Sequence, residues 1–275
     1  MELYQGIILG IIQGLTEFLP VSSSGHLVLG QIFFGITQSQ LAFDISVHMG
    51  TLLAVLVVYA SNISAMLVSV FNFISKAILL KPVAHLFKED KNLKLAYLIL
   101  LGSIPTALIG LFLKQFEHIL FSSAVLVGTM LILTGTILWV SRNYYFTENK
   151  KKGLGIKQAL IIGVGQGLAV TPGISRSGTT IALGMFLGLD RNNAAQFSFL
   201  LSIPAILGAQ ILSIKDMINN GLVIDPVTIY ATIASFITGL IALKLLLSLV
   251  HSGRFHIFAP YCWLIGSLVL LSKFI

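Results

Sequence analysis

The sequence predicts an all-α, polytopic integral membrane protein. About six transmembrane helices are expected, plus two re-entrant helix–loop–helix hairpins in an inverted-topology repeat. Three observations predict it. Hydrophobic residues make up 56% and charged residues 10% of the 275-residue chain. The mean hydropathy of +0.95 is far outside the range of a soluble domain of this size. Apolar runs of about 20 residues recur, each long enough to cross a hydrocarbon layer as a helix. Finally, two stretches rich in Gly, Pro and hydroxyl residues interrupt the apolar sequence and spell nearly the same phrase.

The first phrase spans Gly10 to His26 and the second Gly163 to Thr180. Gly10, Gln13, Gly14 and Leu15 align with Gly163, Gln166, Gly167 and Leu168. Ser22, Ser24 and Gly25 align with Ser175, Ser177 and Gly178. The copies differ in charge: Glu17 and His26 belong to the first, Arg176 to the second. A duplicated frame with divided chemistry predicts one composite site built from two halves.

Taken in order, the first phrase interrupts the apolar stretch Leu3–Ile36, and one long helix is expected from about Ala42 towards Phe73. A loop crowded with Lys76, Lys81, Lys88, Lys91 and Lys94 follows, then spans at Leu93–Leu113 and Phe121–Val140. A second basic loop carries Arg142, Lys150, Lys151, Lys152 and Lys157. The second phrase interrupts Ile156–Leu189, and further spans lie near Ala194–Ser213, Val227–Val250 and Ile257–Leu271. Pro and Gly inside both phrases oppose a continuous helix. Non-helical backbone at membrane depth survives only where protein or a wet cavity surrounds it. Residues 1–275 are therefore read as a single membrane domain. Repeat one covers about 1–140 and repeat two about 156–275, joined by a basic cytoplasmic loop at 141–157.

Lys and Arg outnumber Asp and Glu by 17 to 10. The excess is concentrated in the two loops, which reads as membrane topology and not as nucleic-acid binding. Membrane lipids are the expected surroundings and no nucleic-acid partner is. Placing both loops in the cytoplasm makes the second hairpin enter from inside and the first from outside, with both termini external and Arg254 inside. That layout brings the hairpins together near the midplane, as in many transporters. The single Cys262 excludes an internal disulfide and reads as a small buried apolar residue.

Individual residues sharpen the reading. Gln13 and Glu17 are four apart and share a helical face just before Pro20. A glutamate at membrane depth costs about 2–4 kcal/mol and faces a cavity with a partner. Glu17 is read as a metal-binding or proton-handling group, with an internal ion pair to Arg176 as the alternative. Ser22, Ser23 and Ser24 form either a hydroxyl-rich cap or an anion cradle at a helix start. His26 lies one turn on, and reads as functional or as a satisfied structural group. Ser175, Arg176, Ser177 and Thr180 form the stronger anion site, because hydroxyls surround a guanidinium fork suited to phosphate. Asp44 and His48, again four apart, are read as support for the site or as cavity-facing residues.

At these residues the chain resembles a known family. Gln13 through Glu17, the run F-L-P-V-S-S-S-G-H from Phe18 to His26, and P-G-I-S-R-S-G-T-T from Pro172 to Thr180 are similar to the undecaprenyl-diphosphate phosphatases. These are bacterial integral-membrane enzymes also called bacitracin resistance proteins. Phe197 to Pro204 is similar as well, and the resemblance covers essentially the whole chain. It implies hydrolysis of undecaprenyl diphosphate to undecaprenyl phosphate, the lipid carrier of peptidoglycan synthesis. It also implies a bacterial cytoplasmic (inner) membrane location, with the active site towards the external or periplasmic side. Homodimer formation is left open.

By position, the resemblance assigns catalysis to Glu17, Ser23, His26 and Arg176. Substrate phosphate falls to Ser22, Ser24, Ser175, Arg176, Ser177 and Thr180. A divalent cation, Mg2+ or Ca2+, falls to Glu17 with Gln13. Gln13 stands where many relatives carry a second glutamate, which removes one possible metal ligand. Tyr261-Cys262 departs from an expected Tyr-Arg pair, so any role of that arginine is absent. Ser23 is preferred as nucleophile with His26 as proton acceptor, and direct attack by His26 is the competing arrangement. A transporter or flippase of a phosphorylated polyprenyl lipid is the alternative from another class.

Overall fold

A computed structural model describes residues 1–36, 41–79, 89–116, 119–120, 123–144, 153–219 and 225–271. Among them every long element is helical: α1 (Leu3–Phe18), α2 (Ser23–Phe33), α3 (Leu41–Val58), α4 (Ala60–Ile78), α5 (Lys91–Lys114), α6 (Ala124–Ser141), α7 (Ile156–Leu168), α8 (Arg176–Phe186), α9 (Arg191–Asn219), α10 (Pro226–His251) and α11 (Ala259–Leu271). A 3-10 turn, Phe255–Phe258, precedes α11.

Local chemistry sets the helix starts. Asp90 accepts from the N–H groups of Asn92 and Leu93, and Ser123 from Leu126. Asp225 accepts from Val227, with Pro226 in the first turn. These satisfy donors that a helix leaves unpaired at its N-terminus.

The chain is a polytopic membrane protein. Helices α4, α5, α6, α9 and α10 are each long and apolar enough to span a bilayer, and the segments at Ala42–Val58 and Phe255–Leu271 are shorter apolar helices. The expected spans at 93–113, 194–213, 227–250 and 257–271 each fall on a helix. The start expected at Phe121 lies outside the described residues, as do Lys81, Lys88 and Lys150–Lys152.

One expected element differs. The single helix from Ala42 towards Phe73 is two helices, broken at Tyr59, whose φ of −102° and ψ of 18° leave the α region. Tyr59 still donates to Val55 O and accepts from Ile63 N, each at 2.9 Å, so the break is a hitch and not a loop. Its ring is drawn into the core against Phe199, with 6.1 Å between ring centroids. Apolar periodicity runs through this point unchanged, so the sequence pattern carries no mark of it.

Packing pairs elements from the two halves. Helix α1 lies along α10, α7 lies along α5, and α6 lies along α11. Small residues make the approach possible. A Cβ on Gly10 would stand 2.3 Å from Ala231 O, and one on Gly163 would stand 2.1 Å from Gly102 O. Gly128 and Gly266 face each other's carbonyl oxygens in the same way, at 2.9 and 2.7 Å. In a membrane, where lipid is as apolar as leucine, such backbone contact is what holds helices together.

Both interrupted phrases form hairpins, α1 on α2 and α7 on α8, and their breaks meet. Gly173 N–H donates to Ser22 Oγ at 3.1 Å, and Ser177 Oγ donates to Phe18 O at 2.9 Å. Thr134 of α6 braces the second break. Its hydroxyl donates to Gly173 O and accepts from Ser175 N–H. Fully buried Phe18, at the end of α1, packs edge-on against Phe199 with 5.9 Å between ring centroids.

Candidate active site

The first break is shaped by Pro20, which follows the end of α1, and by Ser22. Ser22 has φ 69°, the one non-glycine residue in the left-handed region among the described residues. Such a conformation costs about 1–3 kcal/mol and persists only when its surroundings over-determine it. They do so here. Ser22 Oγ accepts from Gly25 N–H and Gly173 N–H. Its carbonyl oxygen faces His26 Nδ1 at 2.9 Å and accepts from His26 N–H at 3.2 Å. The turn starts α2 with Ser23 directed at Glu17: Ser23 Oγ donates to Glu17 Oε2 at 2.7 Å.

Glu17 is buried and carries three further contacts. Gln13 Nε2, one turn earlier on α1, donates to Oε2 at 3.0 Å. Arg176 Nη2, in the first turn of α8, donates to Oε1 at 2.7 Å. His48 Nε2 of α3 stands 3.9 Å from Oε2. The ion pair with Arg176, one of the two sequence readings of Glu17, is thus present. The guanidinium is only partly used, because Nη1 is buried with no acceptor among the described residues. Leaving such a donor unpaired costs about 1–3 kcal/mol, and a ligand oxygen would remove that cost.

Glu17, His48 and Arg176 line a cavity of about 390 Å³ between the two halves. Glu17, Ser23 and Ser24 come from the first motif, Ser175 and Arg176 from the second, and Asp44 and His48 from α3. Of the six residues expected to hold phosphate, Ser24, Ser175 and Arg176 line it. Ser22, Ser177 and Thr180 do not. Ser22 and Ser177 tie the two breaks together, and Thr180 donates to Arg176 O and meets Ser198 within the protein. The fourth catalytic candidate, His26, also lies off the cavity, hydrogen-bonded to Ser22 and to Tyr261. Glu17, Ser23 and Arg176 therefore come together, and His26 does not join them.

Comparison with known proteins can be set beside this geometry. The family described as "Bacitracin resistance protein BacA" matches residues 6–268. The chain belongs to that family. Its curated relatives include proteins named undecaprenyl-diphosphatase. One from Desulforapulum autotrophicum is 54% identical over 275 residues, all of both chains. Others are from Desulfosudis oleivorans, 53% identical over 271 residues and 98% of each chain, and from Desulfatibacillum aliphaticivorans, 46% identical over 281 residues and all of both chains.

This BacA-family cavity also contains polar residues that the sequence reading did not assign to the site: Gln31, Thr106, Gln166 and Ser202. Gln31 Nε2 donates to Asp44 Oδ1 at 2.9 Å. Gln166 Nε2 donates to Leu201 O at 3.1 Å, and its Oε1 is buried without a partner among the described residues. Gln166 had a signal in its identity with Gln13 across the repeat. Gln31 had none, being an isolated polar residue on an apolar helix.

Oxygen donors suited to a hard cation are present. Glu17 and Asp44 both line the cavity, and Gln13 Oε1, beside Glu17, is buried and unpartnered among the described residues. No three His, Cys, Asp or Glu side chains converge among those residues. This set fits Mg2+ or Ca2+ held by one or two carboxylates, water and substrate phosphate, not a closed protein cage.

Proposed function

We propose that the protein hydrolyses undecaprenyl diphosphate to undecaprenyl phosphate and phosphate, the reaction after which its curated relatives are named. The activity recycles the lipid carrier of peptidoglycan synthesis and confers bacitracin resistance. One observation carries this reading beyond family membership: Ser23 and Arg176 converge on Glu17, and Arg176 Nη1 has no acceptor among the described residues and can take a phosphoryl oxygen.

The chemistry follows from that arrangement. Ser23 Oγ attacks the terminal phosphorus while its proton passes to Glu17. The bond from that phosphorus to the bridging oxygen breaks, and undecaprenyl phosphate leaves with the bridging oxygen. Arg176 and the start of α8 offset charge on the transferring oxygens. Water then attacks the phosphoserine, the Oγ–P bond breaks, and one water proton restores the Ser23 hydroxyl. The proton held by Glu17 returns to solvent as phosphate departs. A divalent cation at Glu17, with Gln13 and Asp44 nearby, would neutralise phosphate charge and orient the diphosphate.

Phosphate release by detergent-purified protein tests this proposal, since no sealed compartment exists there and transport alone yields nothing. Release that stops on chelation and returns with Mg2+ or Ca2+ is expected. Full activity in chelator would remove the cation from the scheme, and no release at all would refute hydrolysis.

We further propose that residues 1–140 and 156–275 are inverted repeats in the cytoplasmic membrane, with the cavity reached from the external side. The reciprocal pairing of α1 with α10 and α7 with α5 supports this. So does the position of Lys76, Lys91, Arg142, Lys157, Arg191 and Arg254, at helix ends that an alternating path puts on one side. In a Cys262→Ser background, cysteine at Asn143 is expected to react only from the cytoplasm and cysteine at Asp225 only from outside. Labelling of both from one side would contradict the topology.

A further inference from the structure

His26 and Tyr261 form a contact that the chemistry above does not use. His26 Nε2 and Tyr261 Oη are 2.7 Å apart, and the rings are stacked at 5.7 Å with 15° between their planes. The other ring nitrogen, Nδ1, lies 2.9 Å from Ser22 O.

Hydrogen-bond logic fixes the Nδ1 proton. A carbonyl oxygen only accepts, so Nδ1 of His26 carries the hydrogen and donates to Ser22 O. In a neutral imidazole Nε2 is then the lone-pair nitrogen, and the Tyr261 hydroxyl donates to it. Both nitrogens are committed, and neither contacts Ser23, whose hydroxyl is on Glu17.

The residue so held is Ser22, with its left-handed φ of 69°, immediately before Ser23. Helical geometry explains why His26 points this way. The cavity face of α2 is made by Ser24, Leu27, Val28 and Gln31, with Ser23 at one edge. At about 100° per residue, His26 falls about 60° beyond Ser23, outside that face.

We propose that Tyr261 is a positioning residue which, through the neutral His26 imidazole, holds the strained Ser22 carbonyl and thereby sets Ser23 on Glu17. This role rests on the phosphatase reading for its effect on turnover. The brace itself rests only on the contacts above.

The test is a set of variants in detergent-purified protein, read by kcat, KM and thermal unfolding. Tyr261→Phe keeps the ring and removes the donor. It is expected to lower kcat by about 5- to 50-fold, the range for a stranded hydrogen-bond partner, and to leave KM within about twofold. His26→Gln can donate its amide to Ser22 O and accept from Tyr261 with its oxygen, so it should recover most of what His26→Ala loses. The double variant His26→Ala/Tyr261→Phe should be no slower than His26→Ala, and the unfolding midpoints should show the same non-additivity.

A His26→Gln variant as slow as His26→Ala would restore His26 as an acid–base group and overturn the proposal. Additive effects in the double variant would overturn it as well. The unfolding readout needs no turnover. A wild-type protein that releases no phosphate would refute the phosphatase reading and still report on the brace.

Discussion

Arg176→Ala is expected to lower kcat by about 10³-fold or more, the scale for removing a guanidinium that stabilises a transferring phosphoryl group. Two losses combine. The transition-state oxygens lose Nη1, the donor that has no acceptor among the described residues. Glu17 also loses the partner that holds it at 2.7 Å, which leaves a buried carboxylate without its guanidinium. The second loss alone would destabilise the site by about 3–5 kcal/mol, so lysine is the informative control. Arg176→Lys restores charge but cannot span Glu17 and phosphate with a planar fork, and should remain at least about tenfold below wild type. Wild-type turnover in the lysine variant would remove the fork argument. Near-normal turnover in the alanine variant would remove Arg176 from phosphate binding.

Glu17→Gln is expected to lower turnover by about 10²–10⁴-fold, the contribution of a positioned proton acceptor. The substitution is nearly isosteric, and an amide oxygen can still accept from Ser23 or Arg176. What it cannot do is take the Ser23 proton. Glu17→Asp keeps the acid and withdraws it from Ser23 by one methylene, so it should fall between wild type and glutamine, because misplacement is penalised steeply. A glutamine variant with substantial turnover would assign proton acceptance to another group, with His48 at 3.9 Å the nearest imidazole.

The composite site was legible because duplication leaves identities that composition cannot. Gln13 with Gln166, and Ser22-x-Ser24-Gly25 with Ser175-x-Ser177-Gly178, predicted two breaks that meet, and Gly173 N–H does donate to Ser22 Oγ. The divided charges raised the Glu17–Arg176 pair only as the alternative to a metal-binding or proton-handling Glu17, and the pair is present. The division of labour among the hydroxyls was not legible. Ser177 and Thr180 stand in the same run as Arg176, yet both are buried and bonded to the protein. Counting residues along a helix does not say which face meets a cavity.

The ring of His26, a catalytic candidate beside Ser23, meets Ser22 O and Tyr261 Oη, contacts that spacing along α2 does not announce because Ser22 lies outside the helix. The break at Tyr59 escaped notice because the apolar pattern is continuous there and the deviation belongs to a core contact with Phe199.

The most direct measurement is an acid quench of the purified enzyme during turnover of undecaprenyl diphosphate, followed by peptide mass spectrometry. Ser23, 2.7 Å from Glu17, should carry an acid-stable phosphate, and Ser23→Ala should carry none and release no phosphate. An acid-labile phosphate on His26, together with substantial turnover in Ser23→Ala, would contradict the arrangement proposed for Glu17, Ser23 and Arg176.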